Sequence, residues 1–155
     1  MSGIKALALD LDGVLTDGAF YWGVDGSESK RFSFRDVMGI ARAMRRGLLF
    51  ALITGEANPL VDRYASKMGI VHVWQGCSDK SAALRAFATA VDIPLSQIGF
   101  MGDDVNDIDA MQIAGWSAAP ADAHPAARAA ASWVTQRSGG NGSVREALDK
   151  LIPDL

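Results

Sequence analysis

Three short apolar runs in this chain stop abruptly at small, polar or acidic residues, and that repetition constrains the fold more than any other feature. Ile4 to Leu11 stops at Asp12-Gly13 with Asp10 just inside it, Leu48 to Ile53 stops at Thr54-Gly55, and Ile98 to Met101 stops at Gly102-Asp103-Asp104. Such runs read as strands buried on both faces, the condition of a parallel sheet covered by helices. Shorter strands are expected at Val71 to Val73, near Trp116 to Ala119, and at Trp133-Val134.

Helix signals fill the gaps between these strands. Asp36 is expected to cap a helix running to about Arg46, with Gly47 as its stop. Pro59 sits in the first turn of a helix to about Met68, ended by Gly69, and Ser78 or Asp79 caps another from Lys80 to about Val91. Further helices are expected over about Val105 to Ala114, Pro125 to Ala131 and Val144 to Leu151. The segment Gly18 to Phe34 differs: Tyr21-Trp22, a turn at Asp25-Gly26 and the alternation Lys30 to Phe34 predict a β-hairpin. Strands alternating with helices at this pace predict an α/β fold, a doubly wound, Rossmann-like parallel sheet with helices on both faces. A length of 155 residues fits one domain over 1–155.

Composition narrows the function classes. Hydrophobic residues make up 49% and charged residues 21%, enough apolar material for a packed core. A net charge of −3 without a basic stripe predicts no nucleic-acid partner. No basic-then-apolar leader and no apolar run of about 18 residues is present, so no membrane association and a cytoplasmic location are expected. The single cysteine, Cys77, excludes an internal disulfide framework and lies in no thiol motif. His72 falls in an apolar run and His124 precedes Pro125 in a loop; packing and loop roles are expected for them, and for Trp74, Trp116 and Trp133 a place in the core.

The chemistry-bearing residues fall at the carboxyl ends of the predicted strands, where open parallel sheets gather ligands. Asp10 and Asp12 end the first strand, Thr54 the second, and Asp103 and Asp104 the fourth, while Lys80 opens a helix. Singly, each reads as an ordinary cap or loop residue. Together the carboxylates would repel one another unless a hard cation sat among them, and Mg2+ suits an oxygen-only site that also takes phosphate oxygens. A carboxylate nucleophile can attack phosphorus, Thr54 and Lys80 can hold the phosphoryl oxygens, and a second aspartate can move the proton.

The ordered set Asp10-Leu11-Asp12-Gly13-Val14-Leu15-Thr16-Asp17, Thr54-Gly55, Lys80 and Gly102-Asp103-Asp104-x-x-Asp107 resembles the haloacid dehalogenase superfamily of phosphatases. That resemblance implies Asp10 as nucleophile and Asp12 as general acid/base. It implies phosphate binding by Thr54, Gly55 and Lys80, and a Mg2+ held by Asp10, the main-chain carbonyl of Asp12, and Asp103. Asp104 and Asp107 would orient these ligands or Lys80. Arg35-Asp36-x-x-Gly39-Ile40, Ala121-Asp122-Ala123-His124-Pro125 and Gly139-Gly140-x-Gly142-x-x-Arg145-Glu146 resemble the 3-deoxy-octulosonate (KDO) 8-phosphate phosphatase group, extending the likeness over nearly the whole chain. By that likeness the fold has no cap domain, the protein is a homotetramer built through the hairpin, and Tyr21 and Trp22 are interface residues.

Two signals point to different sugar acids. Glu56, where the octulosonate group usually has arginine, and Lys67 resemble the related phosphatases of nonulosonate (KDN or N-acetylneuraminate) 9-phosphates. Arg35-Asp36 and the Ala-Asp-Ala-His-Pro segment resemble the octulosonate group, Tyr64 replaces an arginine expected of the nonulosonate group, and Val37 departs from a glycine common in the octulosonate one. The expected substrate is therefore a phosphorylated 2-keto-3-deoxy sugar acid of lipopolysaccharide or sialic acid metabolism, with Arg35, Glu56, Arg63 and Lys67 as candidate sugar contacts. Two rivals stand beside this reading. In a signalling receiver domain the acceptor aspartate follows the acidic pair and the lysine comes last, whereas here Lys80 precedes Asp103-Asp104. A non-catalytic or regulatory domain of a sugar-acid cytidylyltransferase pathway would have no need of the intact Asp10, Asp12, Thr54, Lys80 and Asp103.

Overall fold

The computed structural model describes residues 3–155. Six parallel strands form one sheet in the order β5-β4-β1-β6-β7-β8: β1 (Ala6–Leu9), β4 (Leu49–Ile53), β5 (His72–Trp74), β6 (Ile98–Met101), β7 (Trp116–Ala119) and β8 (Trp133–Val134). β1 is central, pairing with β4 on one side (Leu9 opposite Leu52) and β6 on the other (Leu9 opposite Met101). The chain winds outward from β1 to β4 and β5, then crosses back to β6. The tips of β1, β4 and β6 therefore lie side by side where the winding reverses, the place at which such sheets bind ligands.

Alternation along the strands feeds two cores. Leu7 and Leu9 of β1, Phe50 and Leu52 of β4 and Met101 of β6 face α1 (Phe34–Arg45), α2 (Pro59–Met68) and α6 (Ser143–Leu151), meeting Ile40, Val61, Tyr64, Val144 and Leu148. Ala6, Ala8, Ala51, Ile53, Ile98 and Phe100 face the opposite way, against Leu84 and Phe87 of α3 (Lys80–Val91), Met111 of α4 (Ile108–Ile113) and Ala127 of α5 (Pro125–Ala130). The small alanines of β1 let this second layer sit close. Gly39 does the same for α1 and α6: a Cβ there would stand 3.3 Å from the Arg145 Cα.

The connection from β1 to α1 carries the antiparallel hairpin, β2 (Tyr21–Trp22) and β3 (Glu28–Ser29), and no cap domain is inserted among the described residues. Its turn is held as the Asp25-Gly26 pair predicts: the Asp25 carboxylate accepts from the Ser27 N–H at 3.0 Å, and Gly26 takes φ +84°, a conformation that favours glycine. The hairpin strands are shorter than the alternation Lys30 to Phe34 suggests; beyond Ser29 a single bridge joins Phe32 to Thr16.

Several local expectations shift. Ser33, not Asp36, occupies the cap position of α1; Asp36 lies in the first turn, fully buried, and its carboxylate accepts from the Arg145 N–H at 2.8 Å and the Gly142 N–H at 3.3 Å. It thus satisfies the free donors at the start of α6 rather than those of its own helix. Asp79 caps α3 through the Ala82 N–H at 2.9 Å, and Asn58 caps α2 through the Leu60 N–H at 2.9 Å. The helix expected over Val105 to Ala114 opens as a 3-10 turn, Val105–Asp107, because Asp104 and Asp107 reciprocally cap it. Trp74, Trp116 and Trp133 are half-buried and pack against the margins of the cores, and His72 lies against Trp74 and Phe87. His124 caps α5, its Nδ1 accepting from the Ala126 N–H at 3.1 Å.

Candidate active site

Asp10 follows β1 directly. One of its oxygens accepts from the Leu11 N–H at 2.7 Å and the other lies 3.0 Å from the Lys80 Nζ. The chain then turns sharply through Leu11–Leu15, closed by the Thr16 N–H on the Leu11 carbonyl at 3.0 Å, with Gly13 at φ +82°. Gly13 has a second reason to lack a side chain. A Cβ there would stand 1.9 Å from the Asp103 Oδ2, so the aspartate delivered by β6 rests directly on the turn that follows β1.

Lys80, the first residue of α3, is buried beneath these carboxylates, with its side chain 2% exposed. Its Nζ reaches Asp107 Oδ1 at 2.6 Å, and Asp107 Oδ2 accepts from the N–H groups of Asp103 (2.9 Å) and Asp104 (3.1 Å). Both Asp107 oxygens are therefore engaged in fixing Lys80 and the loop after β6. Thr54, at the tip of β4, is buried and tied to the Trp74 carbonyl through its N–H at 2.9 Å, while its own carbonyl accepts from Cys77 at 3.0 Å.

Oxygens of Asp10, Asp103 and Asp107 lie within 4.8 Å of one another. Burial, then the charge of Asp107, raises the Asp10 carboxyl well above the ordinary range, and Lys80 offsets only part of this. Asp103 is pushed up to about 7 by burial and by the charges of Asp107 and Asp104. Burial alone would lower the Lys80 ammonium, but Asp10 and Asp107 outweigh it and hold it above the lysine value. One ammonium facing three carboxylates leaves an excess of negative charge in an oxygen-only donor set, which is what a hard divalent cation neutralises. With Asp107 committed elsewhere, Asp10 and Asp103 are the side chains that fit such an ion.

These residues line a cleft of about 420 Å³ together with Asp12, Gly55, Glu56 and Asp104. Of the sequence-derived candidates, Asp10, Asp12, Thr54, Gly55, Glu56, Lys80, Asp103 and Asp104 thus meet at one place, with Asp107 just beneath. Arg63 and Lys67 line a separate groove between the hairpin and α2, and Arg35 lies on a surface depression with Arg137 and Arg145. The cleft also contains Phe20, Lys30 and Asn106, which the sequence motifs did not single out. Asn106 lies within the Asp104-to-Asp107 turn, so its position inside a motif was the available signal, whereas Lys30 belongs to the hairpin alternation and carried none.

The family model described as haloacid dehalogenase-like hydrolase matches residues 56–148. The chain is 41% identical over 149 residues to the 3-deoxy-D-manno-octulosonate 8-phosphate phosphatase KdsC of Salmonella typhi, covering 96% of this chain and 79% of that protein. Among solved structures it is similar to the 3-deoxy-D-manno-octulosonate 8-phosphate phosphatase of Moraxella catarrhalis in complex with magnesium, phosphate and KDO (TM-score 0.94, 35% identity, 97% of this chain and 86% of that one). It is also similar to the cobalt-bound deoxy-D-mannose-octulosonate 8-phosphate phosphatase of Haemophilus influenzae (TM-score 0.93, 31% identity, 97% and 88%).

Proposed function

The chain belongs to the haloacid dehalogenase-like hydrolases, and within them we propose that it is a magnesium-dependent phosphatase of a phosphorylated 2-keto-3-deoxy sugar acid, with KDO 8-phosphate as the first substrate. The observation that carries this reading is the convergence of Asp10 and Asp103, at two adjoining strand tips, with Lys80 from the start of α3, in a chain so similar to phosphatases of that ester.

In this reading Asp10 forms an oxygen–phosphorus bond as the bond from phosphorus to the sugar oxygen breaks. Asp12 gives its proton to the departing alkoxide. Water then attacks the aspartyl-phosphate, Asp12 takes the proton from that water, and inorganic phosphate leaves. Lys80, held between Asp10 and Asp107, keeps the nucleophile aimed and adds positive charge beside the phosphoryl oxygens, while Thr54 and Gly55 bound their other side. A magnesium ion bound by Asp10, Asp103 and the Asp12 carbonyl would neutralise charge between nucleophile and phosphate.

Glu56 supports keeping the nine-carbon esters as a second reading, because among the four candidate sugar contacts it is the one that lines the cleft of its own chain. A homotetramer is part of the proposal. Phe20, Tyr21 and Trp22 stand exposed on the hairpin, Trp22 at 72%, an apolar patch suited to burial against other copies. Arg63 and Lys67 would then be available to the site of a neighbouring copy.

The test is phosphate release from KDO 8-phosphate, KDN 9-phosphate and N-acetylneuraminate 9-phosphate, with magnesium and with chelator. Magnesium-dependent turnover that is highest on KDO 8-phosphate supports the first reading, and preference for a nine-carbon ester supports the second. No release from any of the three overturns both.

A further inference from the structure

Lys30 lies in no phosphatase motif, yet its side chain is 3% exposed and enters the cleft from the end of β3. Its Nζ stands 2.7 Å from Asp12 Oδ1 and 3.6 Å from a Glu56 carboxylate oxygen. The Thr16 hydroxyl, which accepts from the N–H groups of Gly13 (3.2 Å) and Gly18 (3.1 Å), donates to the same Asp12 Oδ1 at 3.3 Å. Two donors thus converge on one oxygen of Asp12, one from its own loop and one from the hairpin. The other oxygen, Oδ2, takes no hydrogen bond among the described residues.

Resting on the phosphatase reading above, we infer that Lys30 is a positioning residue for proton transfer: it pins Asp12 by Oδ1 so that Oδ2 is presented to the leaving oxygen and then to the attacking water. Thr16 alone makes a single long hydrogen bond and leaves the carboxylate free to rotate about its Cβ–Cγ bond. The charge-assisted contact from Lys30 is the shorter and stronger of the two, and its donor comes from a different part of the chain, so together they hold the carboxylate plane. The same ammonium faces Glu56, which places the hairpin, the acid/base and the entrance for the sugar under one contact.

A residue that serves proton delivery has a signature that a hairpin tether or a sugar contact lacks. Departure of an acidic phenol needs little proton donation, whereas departure of a basic one depends on it. The experiment measures kcat/KM for wild type, Lys30→Met and Lys30→Arg on phenyl, 4-nitrophenyl and 2,4-dinitrophenyl phosphate with magnesium. These esters carry no sugar, and kcat/KM reports the step in which the phenol leaves. For Lys30→Met the loss should be about 10–100-fold on phenyl phosphate and within about threefold on the dinitrophenyl ester, a share of the help expected from an acid–base group. Lys30→Arg should restore most of the loss. An equal loss across the series, or no loss, overturns the role of Lys30 and leaves the phosphatase reading standing. A wild-type protein that hydrolyses none of the esters overturns that reading and this inference with it.

Discussion

The Lys80 ammonium lies 2.6 Å from the Asp107 carboxylate, buried under the cleft on a contact between the start of α3 and the turn after β6. Asp107 in turn receives the N–H groups of Asp103 and Asp104, so this one pair sets the position of the β6 loop as well as the charge beneath Asp10. Replacing Lys80 by methionine keeps the volume and leaves Asp10 and Asp107 without their buried cation. Removing one partner of such a cluster costs about 3–5 kcal/mol. Urea unfolding in chelator should show a loss of that order, and phosphatase activity should disappear. An unchanged midpoint would mean that the buried charges are compensated elsewhere.

Gly13→Ala tests the contact between the first turn and Asp103, the second aspartate proposed to hold magnesium. The new Cβ would overlap the Asp103 carboxylate at 1.9 Å and would sit on a backbone at φ +82°. Asp103 must then move away from Asp10. Magnesium affinity, followed by calorimetry, should fall at least as steeply as turnover; retention of both would show that the loop absorbs the methyl group.

Asp36 makes stability depend on pH. Burial raises its carboxyl to about 6, partly offset by the N–H groups of Arg145 and Gly142. A folded-state value above that of the unfolded chain favours the protonated form. Its contribution is fully present below about pH 4 and is lost as pH rises through about 6. The difference between about 6 and the ordinary 3.8 corresponds to on the order of 3 kcal/mol. Asp36→Asn should remove that slope between pH 4 and 6.5, measured as the difference between the unfolding free energies of variant and wild type. A difference that does not change across that window would place the Asp36 value near that of an exposed aspartate.

Tyr64 carries a buried hydroxyl with no hydrogen-bond partner, and its ring stacks on Phe32 at 4.5 Å between centroids. Burial, followed by the nearby Asp36 charge, pushes its phenol well above the ordinary value. Tyr64→Phe keeps the ring and removes the unpaired group, so stability should rise by about 1 kcal/mol. Thermal unfolding checks this, and a lower midpoint would reveal a partner for the hydroxyl in solution.

The sheet was legible because its strands are bounded by chemistry as well as hydrophobicity: β6 runs from Ile98 to Met101 as expected since Gly102 and Asp103 end it, and α2 keeps its Pro59 start and Gly69 stop. The carboxylates at those ends were legible for the same reason, a strand tip being a local feature. What escaped was long-range. Asp36 reads as a helix cap and instead reaches a helix start more than one hundred residues later. Lys30 reads as one tooth of a hairpin alternation, and nothing local shows that its side chain returns to Asp12. Of the sugar contacts proposed on α1 and α2, Arg35 and Lys67 rest on likeness and Arg63 on its place one turn before Lys67, and within one chain all three open onto other surfaces than the cleft.

Attack of Asp10 on phosphorus, in a site completed by magnesium, is the step on which the proposed function rests. It is tested most directly by phosphate release from KDO 8-phosphate across a magnesium titration, comparing wild type with Asp10→Asn, whose side chain is nearly equal in volume. Turnover should rise from background with added magnesium for wild type and stay at background for the variant. Turnover that persists in chelator, or an Asp10→Asn protein that still releases phosphate well above background, would contradict it.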